Sequence, residues 1–244
     1  MGCLMRRKPH AVLDLDSRRK KALKIERLLN LSERPQPLRL LEIGTGSGGI
    51  AHYFATHPKL QCIVTAVDVV DQRTVKDGFE FRLVRDTNLP FRDGVFHVVL
   101  SNHVIEHVGE LEAQKNHLRE MRRVMRTDGV GYLATPNRWM VVEPHYRLPF
   151  LSWLPRPMRH RYVRSTKKGE YYDCEPLSFR LLERYLEETG FLYQNLTEAA
   201  VRETLRLESG REVLATWISK IPASLTQKLN FLAPTIIYRL RQRG

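Results

Sequence analysis

The sequence predicts an α/β fold: a doubly wound, mostly parallel sheet of seven strands with helices on both faces and a lid insertion. Short runs rich in β-branched and apolar residues alternate with longer stretches of helical periodicity. The chain has 244 residues, 42% of them hydrophobic, which is enough for one sizeable core. A glycine-rich stretch directly follows the first apolar run, where such folds turn from strand into helix.

The N-terminal part, residues 1–37, is predicted to be a basic leader that runs into a helix, and residues 38–244 to be the main domain. Residues 6–27 hold nine basic and three acidic residues, and apolar residues follow at near-helical spacing. Strands are predicted over 38–43, 62–67, 80–84, 95–101 and 130–134. Helices are predicted over 50–57 and 111–126, the second closed by Thr127-Asp128-Gly129.

The alternation stops at an insertion over 137–175, which is rich in proline and aromatic residues and is therefore expected to form a lid rather than another βα unit. A helix over 177–188 and a strand over 191–196 resume the α/β pattern. Residues 198–231 have a largely helical pattern, and 235–240 form a final strand entered through Pro234. These two strands bring the expected sheet to seven.

Composition limits the possible partners and the cell compartment. Lys and Arg number 40 against 27 Asp and Glu, a formal charge of +13, which favours phosphates, anionic lipid or acidic substrates. No apolar run approaches a spanning helix, and no secretory signal follows the N-terminal charges. The three cysteines are far apart with no CxxC spacing. We therefore predict a cytoplasmic protein without a metal site, with peripheral membrane contact as an open alternative.

The glycine-rich stretch Gly44-Thr45-Gly46-Ser47-Gly48 allows a ligand to lie against the backbone at the start of a helix. Asp68 ends the second predicted strand, 24 positions after Gly44, close to the spacing at which an acid meets ribose hydroxyls in nucleotide-binding folds. Two cofactor classes fit this arrangement: dinucleotides, and S-adenosylmethionine. Both contain adenosine.

Two acidic residues favour the second class. Glu42 lies two residues before the first glycine, where a carboxylate would repel a pyrophosphate but would attract the ammonium group of a sulfonium cofactor. Asp86 follows the third strand and could accept a hydrogen bond from an adenine amino group. Its alternative role is to cap a turn through its own side chain.

The ordered motifs over 38–138 resemble those of class I S-adenosylmethionine-dependent methyltransferases, in particular the type 11 group that is similar to ubiquinone and menaquinone biosynthesis enzymes. They are Leu40 to Ile50, Ala66-Val67-Asp68, Asp86 to Phe91, Phe96 to Val108 and Leu133 to Arg138. The resemblance implies a Rossmann-like fold and S-adenosylmethionine as cofactor. By position, the implied cofactor-binding residues are Glu42, Gly44, Thr45, Gly46, Gly48, Asp68, Val69, Asp86, Thr87 and Asn102.

The histidines after the fourth strand are candidate catalytic bases, because a hydroxyl acceptor must lose a proton and imidazole titrates near working pH. The candidates are His107, His103 and His145; the resemblance places Asn102 and His103 beside the methyl-bearing sulfur. His103-x-x-Glu106-His107 also matches the HxxEH pattern of some zinc proteases, an interpretation disfavoured by its position at the end of a strand. Some related quinone-pathway enzymes bind a divalent ion through a Glu-x-x-Glu-His pattern. In this sequence His103 occupies the position of the first glutamate.

The acceptor is predicted to be a small molecule, a lipid-linked molecule or a glycan, methylated on oxygen. Aromatic residues of the insertion precede a basic run that contains no acid and could cover an anionic, partly apolar substrate; the run is Arg156, Arg159, Arg161, Arg164, Lys167 and Lys168. RNA is the alternative acceptor that the basic surface would serve. A non-catalytic cofactor-binding protein and an NAD-dependent oxidoreductase also stay open. Residues 220–244 could contact an anionic membrane, although packing of 235–240 in the sheet is favoured.

Overall fold

A computed structural model of the protein describes residues 14–207 and 233–244. The strands are β1 (Leu38–Ile43), β2 (Cys62–Asp68), β3 (Glu80–Leu83), β4 (Phe96–Asn102), β5 (Met125–Pro136), β6 (Val142–Glu143), β7 (Leu148–Pro149), β8 (Phe191–Asn195) and β9 (Thr235–Gln242). The helices are α1 (Leu15–Leu29), α2 (Gly49–Ala55), α3 (Leu111–Val124), α4 (Arg156–Ser165), α5 (Phe179–Glu188) and α6 (Thr197–Leu207).

Seven strands form one sheet in the order β3-β2-β1-β4-β5-β9-β8, as the sequence predicts. Strands β1 to β5 pair in parallel, and β9 pairs antiparallel with both β5 and β8. The central strand β1 buries apolar side chains on both faces, Leu38 and Leu40 on one and Leu41 and Ile43 on the other, which is typical of a parallel sheet covered by helices. The pairing of residues 235–240 with β5 confirms that this segment completes the sheet.

The two faces of the sheet carry separate apolar clusters. On one face α1, α2 and α6 bury Ile25, Phe54 and Ala200. On the other face α3 and α5 bury Leu118 and Leu182. The helix that the sequence assigns to residues 1–37 is thus packed into the core of the main domain. It begins at the N-cap Asp14, whose carboxylate accepts hydrogen bonds from two backbone amides of the first turn.

The insertion over 137–175 has a small apolar core of its own. It contains the β6–β7 hairpin and α4, and it buries Leu151, Val163, Tyr172 and Cys174. This agrees with the prediction that the segment is not a further βα unit. The carboxyl end of the insertion returns to the main domain at Glu175, whose backbone amide donates to the Glu106 carbonyl oxygen at 2.8 Å.

The largest difference between the predicted and the observed boundaries lies where α3 meets β5. The helix expected over 111–126, with a closing turn at 127–129, ends at Val124, and β5 begins at Met125. The reason is tertiary: Met125 pairs with Phe96 of β4, and a register shift follows before Val98 pairs with Val130. Residues 6–13 of the basic leader and 208–231 of the expected helical stretch lie outside the described residues. Within the described ranges, no helix is both long and apolar enough to cross a membrane.

Candidate active site

The candidate site lies where β1, β2 and β4 end side by side. Ile43 at the end of β1 pairs with Val67 of β2 and with Ser101 of β4. The loops that leave these three strands therefore start at the same edge of the sheet. Ligands of open α/β sheets bind at this carboxyl edge.

The loop after β1 needs its glycines for two different reasons. Gly44 and Gly48 adopt φ values of +76° and +82°, a region that side-chain-bearing residues rarely enter. Both positions also lack room for a side chain: a Cβ on Gly44 would lie 2.3 Å from Val104 Cγ2, and one on Gly48 would lie 2.3 Å from the Val75 carbonyl oxygen. The loop is thus held against the segment that follows β4.

Glu42 is a buried carboxylate directly below this loop. It is 2% exposed, and Thr45 Oγ1 donates a hydrogen bond to its Oε2 at 3.2 Å. Burial raises the pKa of Glu42, whereas its hydrogen bonds and the charge of Arg18 lower it. Burial has the larger effect, and the resulting pKa is about 8. A cation bound beside this group would stabilise its ionised form.

Asp68 connects the ends of β1 and β2. Its Oδ2 accepts from the Gly46 backbone amide at 2.9 Å, and its Oδ1 accepts from the Val69 amide at 2.7 Å. Val69 and Val70 follow with about half of their side-chain surface exposed, 51% and 52%. The structure therefore places an acceptor-only group beside an apolar surface, which suits a ribose followed by a flat aromatic base.

The predicted adenine-edge residues lie in the loop after β3. Asp86 is exposed, and its Oδ1 accepts from the Asn88 amide at 2.7 Å, which is the turn-capping role that the sequence left as an alternative. Thr87 Oγ1 accepts from Asn116 Nδ2 of α3 at 2.8 Å. This hydrogen bond fixes the loop to α3. The other carboxylate oxygen of Asp86, Oδ2, has no hydrogen-bond partner among the described residues.

The segment after β4 brings two of the candidate bases to one buried carboxylate. Glu106 is fully buried; its Oε1 lies 3.3 Å from His103 Nδ1 and 4.0 Å from His107 Nε2. Thr135 of β5 donates to the other oxygen, Oε2, at 3.1 Å. His103 has a φ of +59°, a left-handed backbone conformation directly after Asn102. Asn102 Oδ1 is buried and has no hydrogen-bond partner among the described residues.

The third candidate base reaches the same place from the insertion. His145 Nδ1 lies 2.7 Å from Glu143 Oε1, and the rings of His145 and His107 pack edge to face with centroids 5.2 Å apart. Cys174 lies between them, with Sγ 3.7 Å from His107 Nδ1 and 3.8 Å from His145 Nδ1. The structure thus gathers all three predicted histidines, together with a cysteine that sequence reasoning did not single out.

Burial and charge act in opposite directions on this cluster. Burial lowers the pKa of His103 more than Glu106 raises it. Burial also acts to lower the pKa of His145, but the hydrogen bond and charge of Glu143 outweigh it, so this pKa is raised. The pKa of the Cys174 thiol is raised by burial and then by the neighbouring acids Asp173, Glu143 and Glu106.

Helix α1 adds basic residues that the sequence did not mark as part of the site. Burial, with the charges of Lys24 and Arg18, lowers the pKa of Lys21 to about 7, and the charge of Lys21 contributes to lowering the pKa of His103. Arg18 packs on the start of α2, directly after the glycine loop, since a Cβ on Gly49 would lie 2.7 Å from Arg18 Cβ. In the sequence, the signal that points to Arg18 and Lys21 is the run of basic residues that contains them.

The insertion exposes a group of aromatic side chains, which we call the lid surface. It consists of Trp139, Phe150 and Trp153, exposed by 43%, 49% and 43%. The ring centroid of Trp153 lies 5.8 Å from that of Trp139 and 5.1 Å from that of Phe150. Exposed cations of α4 and the turn after it, Arg161, Arg164 and Lys167, belong to the same insertion.

Half of the predicted basic run has a structural role instead. Arg156 forms ion pairs with Glu110 and Glu175 at 2.9 and 2.7 Å. Arg159 is 3% exposed and donates to the Leu154 carbonyl oxygen. Lys168 Nζ donates to the Arg147 carbonyl oxygen at 3.0 Å. Three cations of the predicted basic run thus pair within the protein, and the other three, Arg161, Arg164 and Lys167, are exposed.

Comparison with known proteins identifies the family. A methyltransferase-domain family model matches residues 41–133. Malonyl-[acyl-carrier protein] O-methyltransferase of Geobacter sulfurreducens is 31% identical over 200 residues, which cover 76% of this chain and 72% of that enzyme. The chain belongs to the class I S-adenosylmethionine-dependent methyltransferases.

Other methyltransferases match over less of their length or only in fold. Norajmaline N-methyltransferase of Rauvolfia serpentina is 30% identical over 109 residues, and the match spans only 36% of that enzyme and 40% of this chain. The structure of phosphoethanolamine N-methyltransferase 2 of Haemonchus contortus, solved with phosphomonomethylethanolamine and S-adenosylhomocysteine, superposes with a TM-score of 0.54. It shares 16% identity and covers 91% of this chain and 52% of its own. The methyltransferase relatives thus include both O- and N-methylating enzymes.

Proposed function

We propose that this chain transfers the methyl group of S-adenosylmethionine to an oxygen atom of an anionic, partly apolar small molecule, lipid-linked molecule or glycan. The observation that carries the proposal is the buried Glu42 carboxylate beneath the glycine loop, close to Asp68 at the carboxyl edge of the sheet. The bound cofactor supplies an electrophilic methyl group on a sulfonium. The protein's task is then to align donor and acceptor and to exclude water.

The residues at the carboxyl edge fit this cofactor. Glu42 would pair with its ammonium group, which would offset the cost of a buried carboxylate. The Asn102 Oδ1 atom, buried without a partner among the described residues, is an acceptor that an ammonium donor would satisfy. Asp68 would accept from the ribose hydroxyls, and Val69 would pack on the adenine. Asp86 and Thr87 would lie at the adenine edge.

Among the three candidate bases, geometry favours His103 for proton removal. Glu106 Oε1 lies 3.3 Å from His103 Nδ1, close enough for this carboxylate to orient the ring in the bound state, which would leave Nε2 to accept a proton from an acceptor hydroxyl. His103 also follows Asn102 directly at the end of β4, whereas His107 and His145 lie against Cys174. His103→Gln should therefore lower kcat by about a hundredfold, the usual contribution of a positioned base, and leave the affinity for S-adenosylhomocysteine within about twofold.

The control for this variant is His97→Gln. His97 lies near the opposite, amino end of β4, where its Nδ1 accepts from the Arg39 amide at 3.0 Å. Its loss should leave kcat unchanged. If His103→Gln retained full turnover, proton removal by His103 would be refuted, and matched variants of His107 and His145 would decide between the other two.

The lid surface supports an amphipathic acceptor. Two tryptophans and a phenylalanine offer apolar contact area to a chain or a bilayer surface, and the three exposed cations offer partners for phosphate or carboxylate groups. Peripheral contact with an anionic membrane would present such a molecule to the site. The Geobacter sulfurreducens relative is named as an O-methyltransferase of malonyl-[acyl-carrier protein], which supports an oxygen acceptor.

The test combines a binding step with an acceptor screen. Calorimetry with S-adenosylmethionine, S-adenosylhomocysteine and NAD in parallel should show micromolar binding of the first two only. Transfer of a radiolabelled methyl group should then be measured to a lipid-phosphate-linked sugar in vesicles, to the corresponding free glycan, and to total RNA. The proposal is supported if the label is recovered in the lipid-linked sugar or in the free glycan, either as a base-stable methyl ether or as a base-labile methyl ester. Label recovered only in RNA would overturn the acceptor class, and binding of NAD alone would overturn the activity.

A further inference from the structure

Three side chains with metal-ligating atoms converge at the boundary between the main domain and the insertion. They are His107 from the loop after β4, His145 from the β6–β7 hairpin, and Cys174 from the segment before α5. Their ligand atoms all lie within 4.8 Å of one another, and no other such His, Cys, Asp or Glu group is found in the described ranges. The three residues are separated by 29 to 67 positions in the chain, so only the fold brings them together.

The distances are close to those that a tetrahedral zinc ion requires. Zn–S bonds of about 2.3 Å and Zn–N bonds of about 2.0 to 2.1 Å, at a tetrahedral angle, place sulfur and nitrogen about 3.6 Å apart. The observed distances from Cys174 Sγ are 3.7 Å to His107 Nδ1 and 3.8 Å to His145 Nδ1. These sulfur–nitrogen distances would need adjustments of only a few tenths of an ångström, and His145 Nδ1 would exchange its contact with Glu143 for the metal.

The surroundings of the three residues favour a cation. Asp173 Oδ1 lies 3.6 Å from Cys174 Sγ, Glu143 Oε1 lies 2.7 Å from His145 Nδ1, and Glu106 Oε1 lies 4.0 Å from His107 Nε2. Glu106 lies on the side of His107 opposite Cys174, the position from which a carboxylate orients a ligating imidazole. Glu143 contacts the same His145 nitrogen that faces Cys174, so metal binding would replace this contact, and the carboxylate would add negative charge beside the ion. A divalent ion would also stabilise the buried thiolate, which is costly without one.

We propose that His107, His145 and Cys174 bind one Zn²⁺ ion. Three protein ligands leave a fourth position open, as catalytic zinc sites do. This ligand set shares only His107 with the Glu-x-x-Glu-His pattern considered from the sequence, and two of its members come from the insertion.

The open position gives the site a role in the reaction, and this part rests on the proposed function. Glu106 lies between the two histidines, 3.3 Å from His103 Nδ1 and 4.0 Å from His107 Nε2. An acceptor oxygen at the open position would be oriented and made more acidic by the metal. The proton of an acceptor hydroxyl would then pass to His103.

The experiment is a cobalt(II) titration of the metal-free, untagged full chain. Cobalt bound by a thiolate and two imidazoles gives a sulfur-to-metal charge-transfer band together with intense visible bands of tetrahedral geometry. We expect one equivalent per chain, displaced by Zn²⁺. Cys174→Ser should abolish the charge-transfer band, and His145→Gln should weaken cobalt binding at least about tenfold, since even outer-shell partners of metal ligands contribute that much.

The matched control is the double variant Cys3→Ser/Cys62→Ser, which keeps Cys174 as its one cysteine and should keep the band. Because Cys174→Ser could disturb folding, alkylation of the wild-type chain provides a second readout: Zn²⁺ should protect Cys174 from iodoacetamide at least tenfold, and a chelator should remove the protection. No charge-transfer band in the folded wild type, or a band that survives in Cys174→Ser, would overturn the metal site. Cobalt binding without any methyl transfer would instead count against the proposed function alone.

Discussion

The buried carboxylate of Glu42 predicts a stability that falls as the pH rises. Its pKa is raised from 4.5 to about 8 by burial in the folded chain without ligand. A group whose folded pKa lies above its unfolded value contributes its full stability below the unfolded pKa and loses it as the pH rises through the folded pKa. The loss therefore falls in the window between pH 4.5 and 8.

The magnitude follows from the width of that window. A tenfold change in proton affinity corresponds to about 1.4 kcal/mol. Between pH 5.5 and 7.5 Glu42 should thus lower the free energy of unfolding by about 3 kcal/mol. A glutamine at position 42 has nearly the same shape as glutamate and cannot ionise. The free energy of unfolding of Glu42→Gln, relative to that of the wild type, should therefore rise by about 3 kcal/mol between pH 5.5 and 7.5.

The assay is urea unfolding of both proteins at pH 5.5, 6.5 and 7.5, followed by circular dichroism. A pH-independent effect of the glutamine on the free energy of unfolding cancels when the difference between variant and wild type is compared at the three pH values. Glu203→Gln is the control, because it replaces another buried carboxylate, one that forms an ion pair with Arg27, by the same neutral side chain. If the Glu42→Gln and wild-type free energies ran parallel from pH 5.5 to 7.5, the account of Glu42 as an uncompensated buried acid would be refuted.

Three further predictions concern the glycine loop, the ribose acid and the lid surface. Gly44→Ala should destabilise the chain by about 1 to 3 kcal/mol from its φ and its contact with Val104, and adding Val104→Ala should recover part of the loss in a double-mutant unfolding cycle. Asp68→Asn should weaken S-adenosylhomocysteine binding at least about tenfold by calorimetry, as expected when a bond to a charged group is lost; an unchanged affinity would remove Asp68 from the cofactor site. Trp139→Ala should raise KM for a vesicle-borne acceptor several-fold with kcat unchanged, whereas Leu192→Ala, similarly exposed on β8, should change neither; equal effects in both variants would refute a specific role for the lid surface.

The sequence by itself determined the strands of the sheet, the glycine loop and the acid at the end of β2. Local sequence patterns predict these features: apolar runs of strand length, helical periodicity, and glycines at a strand-to-helix turn. The position of Asp68 relative to Gly44 also follows from chain order, since one βαβ unit sets the spacing. The predicted first strand, 38–43, coincides with β1, and the final strand was found two residues short of the end of β9.

Only the tertiary structure decided the contents of the site beyond the cofactor loop. His145 and Cys174 meet His107 because the insertion folds back onto the loop after β4, and no local pattern records that distance in space. Arg156 and Arg159 were predicted as substrate cations, but partners on other elements occupy them. Periodicity and spacing report a residue's neighbours along the chain, whereas pairing, burial and pKa depend on neighbours that the fold brings from elsewhere.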